Sequence, residues 1–378
     1  MSDNTSKSYD DNDAEELLED VEKNLRKKVT VAIVGKVSTG KSSLLNALFS
    51  KPKDDQLAVV GAVSGVTTKV KRFQLGKNVE IMDSPGLGDI IEDNSNETKL
   101  AMGDIDVGVL VVVDAADASQ KAHYDELKTY CKKVFVVLNK VDMFDKKKSS
   151  LEKVTAQWAE LLKLDDDEKI YQTCADGYDP DFDDDIELDI RGVDVLKQDI
   201  LKFLKKHGKD LILERELEKK SVLAKRVIYS SLAGVAGAAF IPGSAVYITG
   251  IQGAAIMSIH YIYTGEVLSK QSAIAALPLF ASQSIGSNLF LVAKSFLPPT
   301  GIVDVAAAGV AAGVTIAMLS TVNWIYENDY NLDNKTELKE RYSFFYNALK
   351  DIGLKEVWTI ISTRDREKIM ELISRFVK

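Results

Sequence analysis

The sequence predicts an α/β fold with a mostly parallel sheet and helices on both faces, followed by an all-α hydrophobic helical domain. Two observations predict the sheet: short apolar runs typical of strands recur between residues 29 and 173, and stretches with helical spacing separate most of them. Strands that alternate with helices are typical of a parallel sheet covered on both faces. The helical domain is predicted by residues 227–263, which contain no Asp, Glu, Lys or Arg.

The predicted strands are VTVAIVG, VKRFQL, NVEIMD, VGVLVVVD, VFVVLNK and IYQT. Only Gly76 and Lys77 separate the second from the third. This connection is too short for a crossover helix, so these two strands are predicted to form an antiparallel hairpin. The predicted helices begin near Lys41, Gln120, Ser149 and Val193. The third of them has an apolar stripe that consists of Leu151, Val154, Trp158, Leu161 and Leu162.

The chain is long enough for two hydrophobic cores, because 378 residues exceed the usual size of one domain. We expect an acidic arm with an amphipathic helix at residues 1–28, the α/β domain at 29–208 and the helical domain at 209–378. The helix in the first part is predicted by the spacing of Leu17, Leu18, Val21 and Leu25.

Composition argues against several classes of function. A net charge of −9 leaves no general basic field for the backbone of DNA or RNA, so nucleic acid is not expected as the main partner. The two cysteines, Cys131 and Cys174, make at most one disulfide, which favours a cytoplasmic location. The three histidines lie far apart, which argues against a transition-metal site. The acidic first twenty residues lack the pattern of a secretory signal.

Residues 35–42, GKVSTGKS, fit the phosphate-binding spacing G-x-x-x-x-G-K-[ST]. They lie between an apolar strand and a helical stretch, so backbone N–H groups and the start of the helix converge on an anion. Lys41 would reach the β- and γ-phosphates, and Ser42 would bind Mg²⁺. The residues expected to bind the nucleotide here are Gly35, Lys36, Val37, Ser38, Thr39, Gly40, Lys41, Ser42 and Ser43. The alternative for this motif alone is a glycine turn without a ligand.

Two further motifs follow strands in the order that a guanine-nucleotide site requires. In DSPG, Asp83 would hold Mg²⁺ through water and Gly86 would offer its N–H to the γ-phosphate. In NKVD, which includes Asn139 and Lys140, Asp142 would accept hydrogen bonds from the N1–H and 2-amino groups of guanine. Adenine lacks that pair of donors, so the motif predicts GTP and GDP as ligands in preference to ATP.

The ordered set GKVSTGKS, Thr67-Thr68-Lys69, DSPG, NKVD and Thr173-Cys174-Ala175 resembles the Era-like and dynamin-like branch of the translation-factor-related GTPases, over residues 29–208. The resemblance implies a Ras-like GTPase sheet and GTP hydrolysis. It also implies that Thr68, or alternatively Thr67, closes on Mg²⁺ and the γ-phosphate, so that the metal ligands are Ser42, Thr68 and Asp83. Cys174 and Ala175 would line the base, although Asp176 stands where many relatives have a lysine or leucine.

The catalytic residues implied by the resemblance are Lys41, Thr68, Gly86 and Ser38. Leu87 occupies the position of the glutamine that orients the attacking water in Ras-like proteins, and a leucine cannot position water. Ser38 matches a serine that helps dynamin-like proteins hold a monovalent cation, so K⁺ is a further candidate cofactor. The alternative is that Ser38 only caps the loop.

The C-terminal half is predicted to contain apolar helices separated by turns. Ile241-Pro242-Gly243 interrupts residues 227–263, and only about fourteen uncharged residues precede the turn, against the ~20 that a membrane span needs. A similar break at residues 296–301 precedes a helix with Gly309 and Gly313, whose spacing allows close packing in lipid or in a soluble bundle.

This half resembles the hydrophobic helical domain of uncharacterised function that follows Era-like GTPase domains in many bacterial proteins, and its architecture resembles immunity-related GTPases. The resemblance implies a GTP-hydrolysing switch that acts at a membrane through residues 227–325 and is stimulated by self-association through the GTPase face. Two alternatives stay open: a ribosome- or RNA-associated Era-type GTPase, and a GTP-binding interaction module with little hydrolysis.

Overall fold

The computed structural model describes residues 11–49, 71–84, 105–146, 148–165, 168–175, 189–238, 244–284 and 305–377. These residues divide into two compact units. One unit extends from Lys27 to Leu217, and the other combines the chain before Lys27 with Glu218–Lys378. We call them the sheet unit and the helical unit. The sheet unit ends nine residues after the limit of 208 that the sequence predicts.

The sheet unit contains a six-stranded sheet with the order β2-β3-β1-β4-β5-β6. Its strands are β1 Val29–Val34, β2 Lys71–Leu75, β3 Val79–Ser84, β4 Ile105–Val112, β5 Cys131–Leu138 and β6 Ile170–Gln172. Strands β2 and β3 pair antiparallel and the other neighbours pair in parallel. The predicted mostly parallel sheet and its hairpin are therefore confirmed. The sequence did not predict a separate antiparallel ribbon of β7 Cys174–Ala175 and β8 Ile190–Arg191.

The helices of the sheet unit follow the predicted periodicity. They are α2 Lys41–Phe49, α3 Ala118–Tyr130, α4 Lys148–Leu162, α5 Val193–Lys205 and α6 Asp210–Leu217, with a 3-10 helix at Val141–Phe144. In α4, Trp158 and Leu162 are buried in the core, and the other three members of the predicted stripe pack against it. Trp158 also donates its Nε1–H to the carbonyl of Asp114 at 2.9 Å, which ties α4 to the end of β4.

A buried carboxylate anchors the start of the central strand β4. Asp106 is 1% exposed and lies in a strand whose eight residues are all buried. Its oxygens accept hydrogen bonds from Lys132 Nζ and Lys209 Nζ at 2.8 Å and from the backbone N–H of Thr30 at 3.2 Å. Because a buried charge without partners is costly, this arrangement explains how an aspartate is tolerated in an otherwise apolar strand.

The helical unit contains α1 Asp11–Leu25, α7 Lys220–Ala238, α8 Ser244–Thr264, α9 Lys270–Ser284, α10 Val305–Glu327, α11 Lys335–Ile352, α12 Leu354–Ser362 and α13 Arg366–Ser374. The predicted turns at residues 241–243 and 296–301 lie outside the described residues. Among the described helices, α10 has one window, Ala308–Glu327, that is long and apolar enough to cross a membrane. Since 83% of that window is buried inside the structure, a core helix explains it equally well.

Polar side chains join the two most apolar helices, α8 and α10. Three hydrogen bonds of 2.6 to 2.9 Å connect Gln252 with Thr315, His260 with Tyr326, and Tyr263 with Asn323. Burying a polar group without a partner costs free energy, so these pairs favour one register of α8 against α10 over others.

Helix α1 packs on α8 within the helical unit, although the sequence identified no partner for it. Ala14 and Leu18 are buried in this contact, opposite Gly250 and Gly253. A Cβ atom on Gly253 would lie only 2.9 Å from Leu18 Cδ2, so a side chain at that position would displace Leu18. Near the end of α1, Glu22 Oε2 accepts a hydrogen bond from the backbone N–H of Lys270 at 2.8 Å.

We predict that Leu18→Ala destabilises the helical unit by about 2–4 kcal/mol, because Leu18 is only 3% exposed and its loss leaves a cavity above Gly253. Leu17→Ala makes the same chemical change at a half-buried position and should cost less than about 1 kcal/mol. Chemical denaturation followed by circular dichroism measures both. Equal destabilisation by the two substitutions would contradict the packing of α1 on α8.

Candidate nucleotide-binding site

The predicted phosphate-binding loop lies between β1 and α2 and wraps around the side chain of Lys41. Lys41 Nζ donates to the carbonyls of Gly35 and Lys36 at 2.8 and 2.9 Å, and the residue is only 5% exposed. Burial lowers the pKa of Lys41, and the nearby carboxylate of Asp83 opposes that shift. The loop therefore holds a desolvated ammonium group beside the first N–H groups of α2, which suits an anion.

Two residues of this loop have left-handed backbone conformations. Ser38 has a φ of 67° and Gly40 a φ of 82°. A Cβ atom on Gly40 would collide with the side-chain amide of Asn139, so glycine is required there by space as well as by conformation. Val37 is 52% exposed, whereas Ser43 is buried.

The predicted magnesium ligands Ser42 and Asp83 lie together. Parallel pairing of β1 with β3 brings Asp83, which is 1% exposed, to the end of the sheet where α2 begins. Ser42 Oγ lies 3.4 Å from Asp83 Oδ2, at the long limit of a hydrogen bond. A hydroxyl and a carboxylate at this separation fit Mg²⁺, which prefers oxygen ligands and takes the remainder from water and phosphate. No cluster of three or more His, Cys, Asp or Glu suited to a metal occurs among the described residues.

Asn139 connects the predicted phosphate-binding loop to the predicted base-binding segment after β6. Its Nδ2 donates to the carbonyl of Thr39 at 3.0 Å, and its Oδ1 accepts from the hydroxyl of Thr173 at 3.0 Å. The side chain is 2% exposed. Three predicted motifs, GKVSTGKS, NKVD and TCA, thus meet at one buried amide.

The residues predicted to read the base lie around the 3-10 helix. Lys140 precedes it with a φ of 60°, and Asp142 is exposed within it. Cys174 Sγ donates to Asp142 Oδ1 at 3.2 Å, and Ala175 is buried beside it in β7. The carboxylate and the strand end expected to line guanine are therefore brought together.

Sequence reasoning missed the ion pairs around the site. Lys36, predicted to bind phosphate, forms an ion pair with Asp117, which caps the N-terminus of α3. The hydrogen bond from Lys36 lowers the pKa of Asp117 to about 2, so this carboxylate stays ionised further into the acidic range than an ordinary aspartate. Arg191 and Asp145 form a second pair beside the 3-10 helix. These contacts join residues far apart in sequence, and no motif marks them.

The predicted residues Thr67, Thr68, Gly86, Leu87 and Asp176 lie outside the described residues. Their roles in closing on the γ-phosphate, in positioning water and in bordering the base stay predictions.

Residues 30–140, which include the phosphate loop, Asp83 and Asn139, match the sequence family described as 50S ribosome-binding GTPase. The chain contains a P-loop GTPase domain. The tRNA modification GTPase MnmE of Campylobacter jejuni (strain 81-176) is 37% identical over 123 residues, which cover 30% of this chain and 27% of that protein. GTPase Der of a Nitratiruptor species is 36% identical over 121 residues, which cover 30% of this chain and 25% of that protein.

Among solved structures, a probable GTP-binding protein engB is 21% identical, with a TM-score of 0.32, and the match covers 47% of this chain and 100% of that one. The chain spans about a quarter of the length of the two curated relatives, so the likeness concerns the GTPase domain alone.

We predict that Asn139→Ala destabilises the nucleotide-free GTPase domain by about 1–3 kcal/mol, because it leaves the Thr39 carbonyl and the Thr173 hydroxyl without this buried partner. The same variant should bind GDP more weakly than wild type. Gln172→Ala removes an exposed hydrogen bond to Thr155 and serves as the matched control, with a change within about 0.5 kcal/mol. Denaturation curves without nucleotide check the first effect, and a stability equal to that of the control would refute it.

Proposed function

We propose that the protein is a GTP-hydrolysing switch that binds GTP and GDP with Mg²⁺ and acts at a membrane through its helical unit. The observation that carries the nucleotide part is the bridge made by Asn139, which links the buried Lys41 loop to the loop that bears Asp142. Phosphate-binding and base-reading groups are thereby held at a fixed separation, as recognition of a whole nucleotide requires.

The phosphate end would be bound by the backbone N–H groups of residues 35–43 and by Lys41. Ser42 and Thr68 would bind Mg²⁺ directly and Asp83 would hold it through water. The metal would neutralise charge on the β- and γ-phosphates. Gly86 would add a backbone N–H to the γ-phosphate. Because Lys41 is already desolvated, its attraction for phosphate is screened less than that of a surface lysine.

The base end would be read by Asp142, with Asn139 and Lys140 shaping the pocket and Cys174 and Ala175 closing it. A site built to accept two hydrogen bonds from guanine rejects adenine because its carboxylate would be desolvated without donors. This reasoning supports specificity for guanine nucleotides.

Hydrolysis requires a group that orients water, and Leu87 cannot supply it. We propose that self-association through the GTPase face, membrane binding or a K⁺ ion held by Ser38 completes the site around Thr68. Ser38 is exposed and has a left-handed backbone conformation, which turns the loop at that residue. If Ser38 only caps the loop, hydrolysis should not depend on K⁺ through this residue.

The membrane part of the proposal rests on the apolar helices of the helical unit, within residues 227–325. One described window has the length and composition of a span, but its burial suits a soluble bundle as well. We therefore propose a cytoplasmic protein that associates with membranes.

A second candidate is a ribosome- or RNA-associated GTPase, favoured by the family described as 50S ribosome-binding and by relatives named for tRNA modification. The net charge of −9 opposes it, since phosphate backbones attract basic surfaces. A GTP-binding interaction module with little hydrolysis is the third candidate.

We predict that GTP and GDP bind in the presence of Mg²⁺ while ATP does not compete. Asp142→Asn should shift the preference toward xanthine nucleotides, because the amide can donate to the additional oxygen of xanthine. Lys41→Ala should weaken GTP binding most, since Lys41 addresses the phosphates rather than the base. Competition assays with a fluorescent GDP measure all three effects, and displacement of GTP by ATP at similar concentrations would refute the assignment of Asp142.

We predict that the rate of hydrolysis per molecule rises with protein concentration, with K⁺ in place of a bulky organic cation, or with liposomes. Closure of Thr68 on Mg²⁺ and the γ-phosphate is the expected cause. Ser38→Ala should remove the K⁺ effect with little loss of GDP binding if Ser38 holds the cation. Phosphate release measured across these conditions is the test.

A rate that responds to none of these conditions would contradict the proposed activation. Stimulation or co-sedimentation by ribosomes rather than liposomes, with a non-hydrolysable GTP analogue bound, would favour the second candidate. Tight GTP binding with no turnover under any condition would favour the third.

A further inference from the structure

An arginine that no motif marks joins the guanine-recognition loop to the strand pair after it. Arg191 lies in β8, and its Nη1 and Nη2 donate to Oδ1 and Oδ2 of Asp145 at 2.9 Å each. Asp145 directly follows the 3-10 helix, and its backbone N–H donates to the carbonyl of Asp142 at 3.1 Å. The guanidinium therefore holds the end of the short helix that carries the base-reading carboxylate.

The position of Arg191 is fixed from the other side by β7. Arg191 pairs with Cys174 in the antiparallel ribbon, and Cys174 Sγ donates to Asp142 Oδ1. Gly192 follows with a φ of 71°, and a Cβ atom there would collide with the carbonyl of Gln172. The chain must therefore turn at this point, which leaves Arg191 little freedom to move along the ribbon.

We propose that Arg191 is a positioning residue for guanine recognition, which it serves by clamping the 3-10 helix and the Asp142 carboxylate against the β7–β8 ribbon. This inference rests on the proposed function. A two-point guanidinium–carboxylate pair fixes direction as well as distance, which a single lysine contact does not. Nη2 of Arg191 also lies 2.8 Å from Oδ2 of Asp189, so the residue before β8 contributes a second acceptor.

We expect the Arg191–Asp145 ion pair to affect the position of the loop that carries Asp142 more than the stability of the domain. The side chains of Arg191 and Asp145 are 40% and 54% exposed, and ion pairs with that exposure add little to stability. Its removal should therefore loosen the loop around the base while the domain stays folded. Discrimination of the base, rather than the melting temperature, is the quantity that reports the proposed role.

The experiment compares GDP with IDP, whose base lacks the 2-amino group that Asp142 would bind. In the full chain, Arg191→Gln should raise the dissociation rate of fluorescent GDP about fivefold and lower the ratio of GDP to IDP affinity by a similar factor.

Arg72→Gln is the matched control, since Arg72 forms a partly exposed ion pair with Glu80 at 2.9 Å in the β2–β3 hairpin of the same unit. It should leave both quantities unchanged. An unchanged affinity ratio in Arg191→Gln, or an equal effect in the control, would overturn the positioning role while wild type still binds GDP. Failure of wild type to bind GDP would instead overturn the proposed function itself.

Discussion

The proposed nucleotide site depends on one buried amide. Asn139 uses its donor for the Thr39 carbonyl and its acceptor for the Thr173 hydroxyl, residues that lie 100 and 34 positions away in sequence. Because water is excluded at 2% exposure, no other partner replaces these bonds at low cost. The parallel strands β1, β5 and β6 bring their carboxyl ends to the same edge of the sheet, and Asn139 then sets the distance between loops that follow them.

Local patterns predicted most of the sheet unit, because its strands and helices bury faces with simple periods. The antiparallel hairpin followed from a two-residue connection, and the stripe that ends at Leu162 followed from helical spacing. The partners of charged side chains could not be predicted in this way. Lys36 pairs with Asp117, 81 positions away, and only the fold decides which of the many acidic residues it meets. The ribbon that carries Arg191 is too short to produce a periodic signal.

In the helical unit, amino-acid composition does not distinguish a helix buried in protein from a helix buried in lipid. A helix buried in protein and a helix buried in lipid need the same apolar surface, so α10 passes a test of hydropathy in either case. The hydrogen bonds between α8 and α10 would be retained in both environments, since a buried polar group needs a partner in each. The packing of α1 could not be predicted for a related reason. Gly250 and Gly253 form the surface of α8 that α1 contacts, and glycines in an apolar run do not indicate which helix packs on them.

Net charge argues against some classes of ligand and leaves others open. A charge of −9 spread over 378 residues opposes a long polyanion, which must lie against an extended surface. A nucleotide is small, and charges farther away than the ~8 Å screening length at physiological salt contribute little to its binding. Within that range lie the ammonium of Lys41, held almost free of solvent by the carbonyls of Gly35 and Lys36, the N-terminus of α2, and the carboxylate of Asp83, whose charge Mg²⁺ would offset. An acidic protein can therefore bind a triphosphate, because burial and the helix terminus concentrate positive potential at one point.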